Sequence, residues 1–590
     1  MLRTTFNKGQ TFSNLAKSVL AKQLSTTIPN YRKNKVMFFL NNKICEVEKG
    51  TTILEACKTH SVPIPTLCHH PLLSNQAQCR LCLVETDQTG KLYTACTTEV
   101  KEGMNVITNS DNVLQAVKHN LALLLADHTQ ECMNCEANGR CEFQKLIYIY
   151  DVPNKFPPKS KQKYEIDRSS PSIIRDMEKC IRCYRCVKAC DELQGMKILS
   201  IPANGADLPP ETPNNLPIYE TKCINCGQCS YYCPVGAIAE NSSVREVNDL
   251  LHNKKGKIVV FQTAPATRVA ISEEFGLEPG TISTGKLVSA IKSLGADAVF
   301  DTNFTADLTI MEEGSELLDR VKNGGVLPMF TSCCPAWINM VEKSYPEFIP
   351  NISSARSPQG MLSSLVKNYW AQMKGIRAED VVTVSVMPCT AKKDEAKRKQ
   401  LFTDSGLAET DYVLTTRELG KLIKLNDISF PSLPEIPMTI PSAALRTAYE
   451  LGTGKPLPTL HFNPVRGFET IKEAEIDFNG MPFKVAVVHG AVNIHKYLKM
   501  IKEGLAKHHF VEFMVCKGGC IGGGGEPKSL ADDYLQKRMA GLYKIDDFKE
   551  LRKSHLNSSI NKLYETFLEH PLSHKSHHLL HTHYKDRSDN

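Results

Sequence analysis

The amino-acid sequence predicts a multidomain chain of mixed class, α+β in its first half and α/β in its second. Three observations carry this. The chain has 590 residues, 42% of them apolar, which is enough for several separate cores. Its 22 cysteines fall largely in Cys-x-x-Cys spacings, which suit metal ligation in a reducing compartment better than a secreted disulfide framework. From Leu250 onward, short apolar runs alternate with amphipathic stretches, the pattern of buried sheets covered by helices. With 71 Lys+Arg against 64 Asp+Glu the net charge is +7, too close to balance for a nucleic-acid binder. No apolar run nears the ~18 residues needed to span a bilayer; Leu121 to Ala126 and Ile258 to Phe261 are far too short.

Residues 1–34 contain Arg3, Lys8, Lys17, Lys22, Arg32 and Lys33, and the first acidic residue is Glu46. Phe12, Leu15, Ala16, Val19 and Leu20 recur at helical spacing among Ser and Thr, as in an organellar presequence; a basic tail is the plainer alternative. Residues 35–111 follow, with strands expected at Val36 to Leu40, Leu81 to Glu85 and Lys91 to Ala95. Here Cys68, Cys79, Cys82 and Cys96 stand in C-x10-C-x2-C-x13-C order. Four thiolates with one x2 pair suit a [2Fe-2S] cluster held by a loop and a hairpin, and a structural zinc site stays open. Residues 112–157 carry a helical stretch, Val113 to Ala126, and then His128, Cys132, Cys135 and Cys141. An imidazole in place of a thiolate removes a negative charge from a [4Fe-4S] site, and a Cys3His zinc site has the same ligand set.

Residues 158–246 hold an internal duplication, the most specific signal in the chain. Cys180, Cys183, Cys186 and Cys190 have the bacterial ferredoxin spacing, and Cys223, Cys226, Cys229 and Cys233 repeat it before Pro234. The fourth cysteine of each run ligates the other cluster in that pattern. One [4Fe-4S] centre is therefore expected on Cys180, Cys183, Cys186 and Cys233, and the other on Cys223, Cys226, Cys229 and Cys190. Asp191 stands where proline is usual, and the Pro-rich insert from Ile201 to Pro217 is a surface excursion. Clusters in series make an electron wire, and the remaining chain should hold its terminus.

Residues 247–540 read as the α/β domain, with strands at Ile258 to Phe261, Ala298 to Phe300, Val326 to Phe330, Val381 to Met387, Val485 to Val488 and Phe510 to Val515. Ligands in such folds sit at strand carboxyl ends, and cysteines appear there in TSCCP (Thr331 to Pro335), MPCTAKK (Met387 to Lys393) and MVCKGGCIGGGGEP (Met514 to Pro527). Gly522 to Gly525 lack the Gly-Lys-Ser/Thr of a phosphate loop; close backbone approach is the better reading. Residues 541–590 form a helical tail whose His570, His574, His577, His578, His581 and His583 read as a surface helix, with a metal site as the alternative.

TSCCP, MPCTAKKDE and the C-x3-C of FMVCKGGCIGGGGEP resemble the three active-site motifs of the [FeFe]-hydrogenases. The preceding modules, in the same order, are similar to the accessory domains of the long members of that family, including hydrogenases of anaerobic protists with hydrogenosomes. LHTHY (Leu580 to Tyr584) looks like the family's tail. The resemblance implies a β-grasp fold for the [2Fe-2S] domain and an H-cluster: a [4Fe-4S] cube bridged to a two-iron unit with CO, cyanide and dithiolate ligands. It places the cube on Cys334, Cys389, Cys516 and Cys520, the last as the bridge, with Cys333 as the proton-carrying thiol. It implies a proton path through Glu313, Ser353 and Glu316 to Arg320. Lys392 is implied as the hydrogen-bond donor to a cyanide, and Ala264, Pro265, Pro358, Gln359, Met387 and Met514 as the cavity lining. By spacing alone, Glu313 and Glu316 share a helix face and read as a solvated surface pair, so their place in a proton path rests on the resemblance.

The activity implied is 2H⁺ + 2e⁻ ⇌ H₂ with ferredoxin as electron partner, three accessory [4Fe-4S] clusters and one [2Fe-2S] cluster, maturation proteins that install the two-iron unit, and an organelle matrix (hydrogenosome or mitochondrion-like) as location. Flavin or nicotinamide chemistry would have to come from other subunits, since the chain has no Rossmann glycine fingerprint. Two alternatives stand beside this reading. The first half also resembles the large iron-sulfur subunit of respiratory complex I, which leaves TSCCP unexplained. Hydrogenase-like iron-sulfur assembly factors generally lack the relay cysteine and the two-iron module, both present here. These assignments take up every cysteine except Cys45 and Cys57, which read as small core residues.

Overall fold

The computed structural model describes residues 34–588 apart from 87–89, 155, 157–162, 204, 206–207, 437–470, 479–480 and 549–552. Nearly all of the basic N-terminal segment lies outside the described residues. The chain forms two compact units. The first runs to Lys163 and takes in Glu178–Tyr184; the second comprises Tyr164–Met177 and everything from Arg185 onward.

In the first unit, β1 (Lys35–Leu40) and β2 (Lys43–Glu48) form a hairpin. Its two-residue turn, Asn41-Asn42, has both φ angles in the left-handed region that asparagine tolerates and tight hairpins require. The sheet adds β3 (Leu83–Thr86), β4 (Leu92–Thr94) and β5 (Asn105–Ile107) in the order β2-β1-β5-β3-β4, with β1 and β5 parallel. The helix Ile53–Thr59 covers it, started by a reciprocal Thr52–Glu55 capping box. Phe38, Leu40, Ile53, Val84 and Val106 form the core with Cys57, and Cys45 packs against it. Both unassigned cysteines are thus packing residues. Burial pushes the Cys57 thiol up to about 12, which makes it unreactive.

The second unit contains three sheets. β6 (Ile173–Arg175) and β7 (Ile238–Glu240) pair antiparallel and bracket both cysteine runs in sequence. β8 (Ile258–Thr263), β9 (Ala298–Asp301), β11 (Val381–Met387) and β12 (Tyr412–Thr415) make an all-parallel sheet in the order β12-β11-β8-β9. β10 (Met329–Phe330), β13 (Ile471–Phe478), β14 (Met481–His489) and β15 (Phe510–Met514) make another in the order β10-β15-β14-β13, parallel except for the β13–β14 hairpin. The strand expected over Val326 to Phe330 shrinks to its last two residues. Pro328 offers no N–H to a ladder, and Val326 is half exposed at 48%. Between these elements lies an aromatic cluster in which Trp337, fully buried, packs 4.3 Å from Phe513 and 5.8 Å from Phe330 and donates its indole N–H to Thr331 O at 3.1 Å. That cluster fixes the ends of β10 and β15, from which the cysteines project. Among the described residues no helix is long and apolar enough to cross a membrane.

Candidate active site at the strand carboxyl ends

Three parallel strands deliver cysteines from the same ends. β10 runs through Thr331 and Ser332 to Cys333 and Cys334, where Pro335 opens the helix Pro335–Ser344 with its φ already suited to a first turn. β11 leads through Pro388 to Cys389. β15 leads through Val515 to Cys516, and two left-handed glycines, Gly518 and Gly519, turn the chain so that Cys520 returns to the site. β10 and β15 are hydrogen-bonded neighbours, so Cys334 and Cys516 leave one sheet side by side.

The four sulfurs converge. Burial raises the pKa of each thiol, and after burial the main cause at Cys516 is the charge of Cys389, Cys334 and Cys520. Cys520 and Cys389 are pushed up to about 12, again with Cys334 as a repelling neighbour. Four mutually repelling thiolates form an unfavourable set unless a cationic core lies among them, as the irons of a cluster do. The donor set is all-sulfur, the soft ligation that iron-sulfur clusters take. The residues therefore fit the expected cube.

Cys333 stands beside this foursome. Its thiol is raised well above the ordinary value by burial, then by Glu512, Glu313 and the neighbouring Cys334 and Cys520. Glu313, on the helix Asn303–Asn323, is pushed up to about 8 by burial, with Glu316 and Glu512 adding repulsion. Its Oε1 accepts from Ser332 N at 3.2 Å and Ser332 Oγ at 3.3 Å. One turn on, Glu316 accepts from Ser353 Oγ at 2.8 Å, from Ser354 N at 3.1 Å and from Arg320 Nη2 at 2.7 Å. Arg320 is largely buried and spends its other donors on the carbonyls of Val326, Pro350, Asn351 and Ile352. The carboxylate pair thus faces inward, and the surface alternative for it does not apply. The hydroxyl on Glu313 is Ser332's, whereas Ser353 serves Glu316.

Lys392, on the short helix Ala391–Glu395, donates to Ser357 Oγ at 2.8 Å, Cys333 O at 3.2 Å and Glu395 Oε2 at 2.7 Å. Burial works to lower its pKa, but the charge and hydrogen bond of Glu395 outweigh that and keep the ammonium protonated. Gln359 donates to the same Glu395 at 3.1 Å, and Pro358 lends its carbonyl to Thr305 at 2.7 Å. Ala264 follows β8, packs with Met387 at the end of β11, and donates to Val386 O at 3.0 Å. Pro265 opens the next helical turn, and the Met514 sulfur lies where a side chain on Gly519 would be. Met387 and Met514 thus end strands that lead to cysteines, Ala264 and Pro265 follow β8, and Pro358 and Gln359 open the helix Pro358–Leu365.

Electron-side ligands approach from the same direction. Cys190 raises the pKa of both Cys223 and Cys229, so it lies near the second cysteine run. Cys226 feels both Cys223 and Cys516, so this group adjoins the active-site foursome. Gln228 Nε2 spans the two, donating to Gly522 O at 2.9 Å and lying 3.5 Å from Cys516 Sγ. Thr390 Oγ1 donates to Asn225 O at 2.8 Å. A Cβ on Gly524 would meet Cys226 O at 2.2 Å, and one on Gly523 would meet Pro388 O at 2.2 Å. The glycine run is the close backbone approach expected, made to the loops that hold two sets of cysteines.

In the first unit, Cys68 pairs with Cys79 and Cys82 with Cys96 through sulfur hydrogen bonds. In each pair one thiolate is stabilised and the other thiol raised, Cys79 falling to about 6. Cys96 also feels Cys68 and Cys79, so the four form one group. His128 ends the helix Asp111–Asp127 and stacks on Phe143 at 5.3 Å. Cys132 and Cys135 flank the next turn, and Cys141 caps the helix Glu142–Ile149, its sulfur accepting from Gln144 N at 3.4 Å. Cys180 and Cys183 fall with the first unit, Cys186 and Cys233 with the second.

Comparison with known proteins decides the family. Residues 257–524 match the iron only hydrogenase large subunit, C-terminal domain, and residues 532–587 the iron hydrogenase small subunit. Over 93% of its length the chain is 42% identical to the NADP-reducing hydrogenase subunit HndD of Solidesulfovibrio fructosivorans, covering 98% of that protein. The chain belongs to the iron-only, or [FeFe], hydrogenases. Iron hydrogenase 1 of Clostridium pasteurianum is 38% identical over 92% of the chain and 99% of its own length. A solved structure of [FeFe]-hydrogenase HydA1 from Chlamydomonas reinhardtii superposes with a TM-score of 0.55 at 42% identity, covering 58% of this chain and 99% of that one. The remaining matches are a 2Fe-2S iron-sulfur cluster binding domain (33–111), the NADH-ubiquinone oxidoreductase-G iron-sulfur binding region (118–155) and a 4Fe-4S binding domain (216–239). The hydrogenase is thus an oxidoreductase acting on H₂ with iron-sulfur modules ahead of its catalytic domain.

Sequence reasoning missed several side chains that touch this site. Ser332 was signalled only by its place before Cys333. Glu512 had a clearer signal, being a charged residue in the apolar strand FVEFM on the same face as Met514. Ser354, Glu395 and Gln228 had none, since their partners are set by the tertiary fold.

Proposed function

We propose that the hydrogenase makes H₂ from protons with electrons from reduced ferredoxin, passed along one [2Fe-2S] and three accessory [4Fe-4S] clusters to the cube on Cys334, Cys389, Cys516 and Cys520. One observation carries this: four converging sulfurs with electron-side cysteines on one flank and a proton-carrying thiol on the other. When bound, the H-cluster supplies an electron-rich iron centre at which protons are reduced. The chain's own part is to move protons and hold charge. Cys333 presents a protonated thiol, Glu313 is neutral below about pH 8 and so hands on a proton, and Ser332, Ser353 and Glu316 continue the path. Lys392, pinned by Glu395, holds a fixed positive charge against the site for an anionic ligand such as cyanide. The fold of residues 35–111 is read as a β-grasp ferredoxin and that of 158–246 as a duplicated one. Matured protein should show CO and cyanide infrared bands and evolve H₂ with reduced ferredoxin; loaded protein that does so with dyes but never with ferredoxin would remove ferredoxin as donor.

A second electron route has support in the relative named as a subunit of an NADP-reducing hydrogenase. Copurification of flavin- or nicotinamide-binding subunits from the native source would establish it. The basic N-terminal segment supports import into an organelle matrix, which fractionation of tagged protein tests.

A further inference from the structure

Among the described residues Glu316 is hydrogen-bonded to Ser353, Ser354 and Arg320, and the contact through Ser354 leads on to an imidazole. Ser353 ends at a backbone contact, accepting from Ala355 N at 3.2 Å. Arg320 presents a guanidinium, a group that holds carboxylates and does not serve as a proton relay. Ser354 Oγ lies 3.3 Å from Glu316 Oε2 and 2.8 Å from His581 Nδ1. His581 is 4% exposed, and its Nε2 lies 3.1 Å from Glu312 Oε2. Glu312 is itself fully buried and accepts from Tyr564 Oη at 2.6 Å and Leu572 N at 2.9 Å. On its outer side His581 stacks against His577 with ring centroids 4.5 Å apart and planes 4° from parallel. His577 is exposed, so one ring separates His581 from water.

The tail reading as a surface helix therefore fails at this residue. His581 lies just past the helix His574–Leu580, where a bridge to Ala355 draws it under the loop that carries Ser353 and Ser354. The contact with Glu312 orients the ring and leaves Nδ1 facing Ser354 Oγ.

We propose that His581 is the titratable station through which protons are exchanged with Glu316, by way of Ser354. This rests on Glu316 lying in the proton path. In the direction of H₂ formation the imidazolium gives its Nδ1 proton to Ser354 Oγ as the serine gives its own to Glu316 Oε2. Imidazolium and carboxylate become imidazole and carboxylic acid, with no electron moved, and a proton from solvent restores the imidazolium. The charges facing His581 are Glu312 and, beyond Ser354, the Glu316–Arg320 pair; His577 and His574 from the tail helix; and Arg356, which donates to His581 O at 2.9 Å and is neutralised by Glu409. Glu312 supports the imidazolium, and no unpaired cation opposes it within this set.

The test is the pH profile of dye-driven H₂ evolution, with infrared spectra showing an unaltered cluster. His581→Gln keeps the hydrogen bonds but cannot titrate, and Ser354→Ala cuts the link while leaving His581 on Glu312. Both should lose about fivefold or more near pH 8, where hydronium is scarce, and under about twofold near pH 6, with a larger solvent isotope effect. Ser354→Thr should recover the parent profile. A loss equal at every pH, or none, overturns the proposal. Glu316→Gln separates the two levels of failure: if it stays active, the proton path itself is wrong. If it is inactive while His581→Gln keeps the parent profile, only the role of His581 falls.

Discussion

The two flanks of the catalytic cysteines are built from opposite materials. The electron flank is made of backbone in close approach and neutral side chains: Gly523 and Gly524 against Pro388 and Cys226, with Thr390 and Gln228 as struts. The proton flank is a file of titratable groups and hydroxyls, from Cys333 through Glu313, Ser332 and Glu316 to Ser354 and His581. Electrons cross gaps and need short, rigid separations, so the protein removes side-chain bulk between cluster loops. Protons need continuous donors and acceptors of matched affinity, so the protein buries carboxyls and lets burial raise their pKa. Strand ends supply rigidity to both.

The largest effect should come from breaking the proton flank at its inner end. Cys333→Ser should keep its iron content and infrared bands yet lose about 100-fold or more in turnover with any electron donor, because an alcohol is a far weaker acid than a thiol. Turnover near the parent's would remove Cys333 from the path. Breaking the electron flank should discriminate between donors: Gly524→Val forces the Cys226 loop away, and ferredoxin-driven turnover should fall about tenfold more than dye-driven turnover, a ratio of assays on one preparation. Equal loss in both assays would mean that the glycine serves folding alone.

Stability against pH sharpens the same contrast. Glu313 and Glu526 are both buried with pKa raised to about 8, so the folded state keeps protons that the unfolded state releases from about pH 4.5. Their contribution is therefore present at low pH and lost as pH rises toward about 8. Denaturant titrations should show stability falling over that window, and Glu313→Gln should flatten the slope while its counterpart Gln228→Leu on the electron flank leaves it unchanged. The smallest effect is expected from Gln228→Leu itself, a modest fall in the reduction potential of the adjoining cube as an N–H donor to sulfur is lost, read by spectroelectrochemistry.

Much of this architecture was legible in the sequence. Val381–Met387 reads as a strand because it is a short run rich in β-branched residues and buried on both faces, and Cys389 after it marks its carboxyl end. The duplicated spacing leads one to expect an exchange of fourth ligands, and Cys190 lies close enough to Cys223 to raise its pKa. Illegible parts depend on long-range packing: His581 meets Ser354 across 227 residues, and composition alone grouped it with its exposed neighbours. The edge strand Ile471–Phe478 alternates charged with apolar residues and pairs only with β14, so it lacks the apolar run that exposed the central strands.

The most direct measurement is the infrared spectrum of the anaerobically matured protein, taken alongside its iron content. Cys334, Cys389, Cys516 and Cys520 around one cube predict sharp CO and cyanide bands that vanish in Cys520→Ala while the accessory clusters persist. A fully iron-loaded protein without those bands, or one whose bands survive that substitution unchanged, would contradict it.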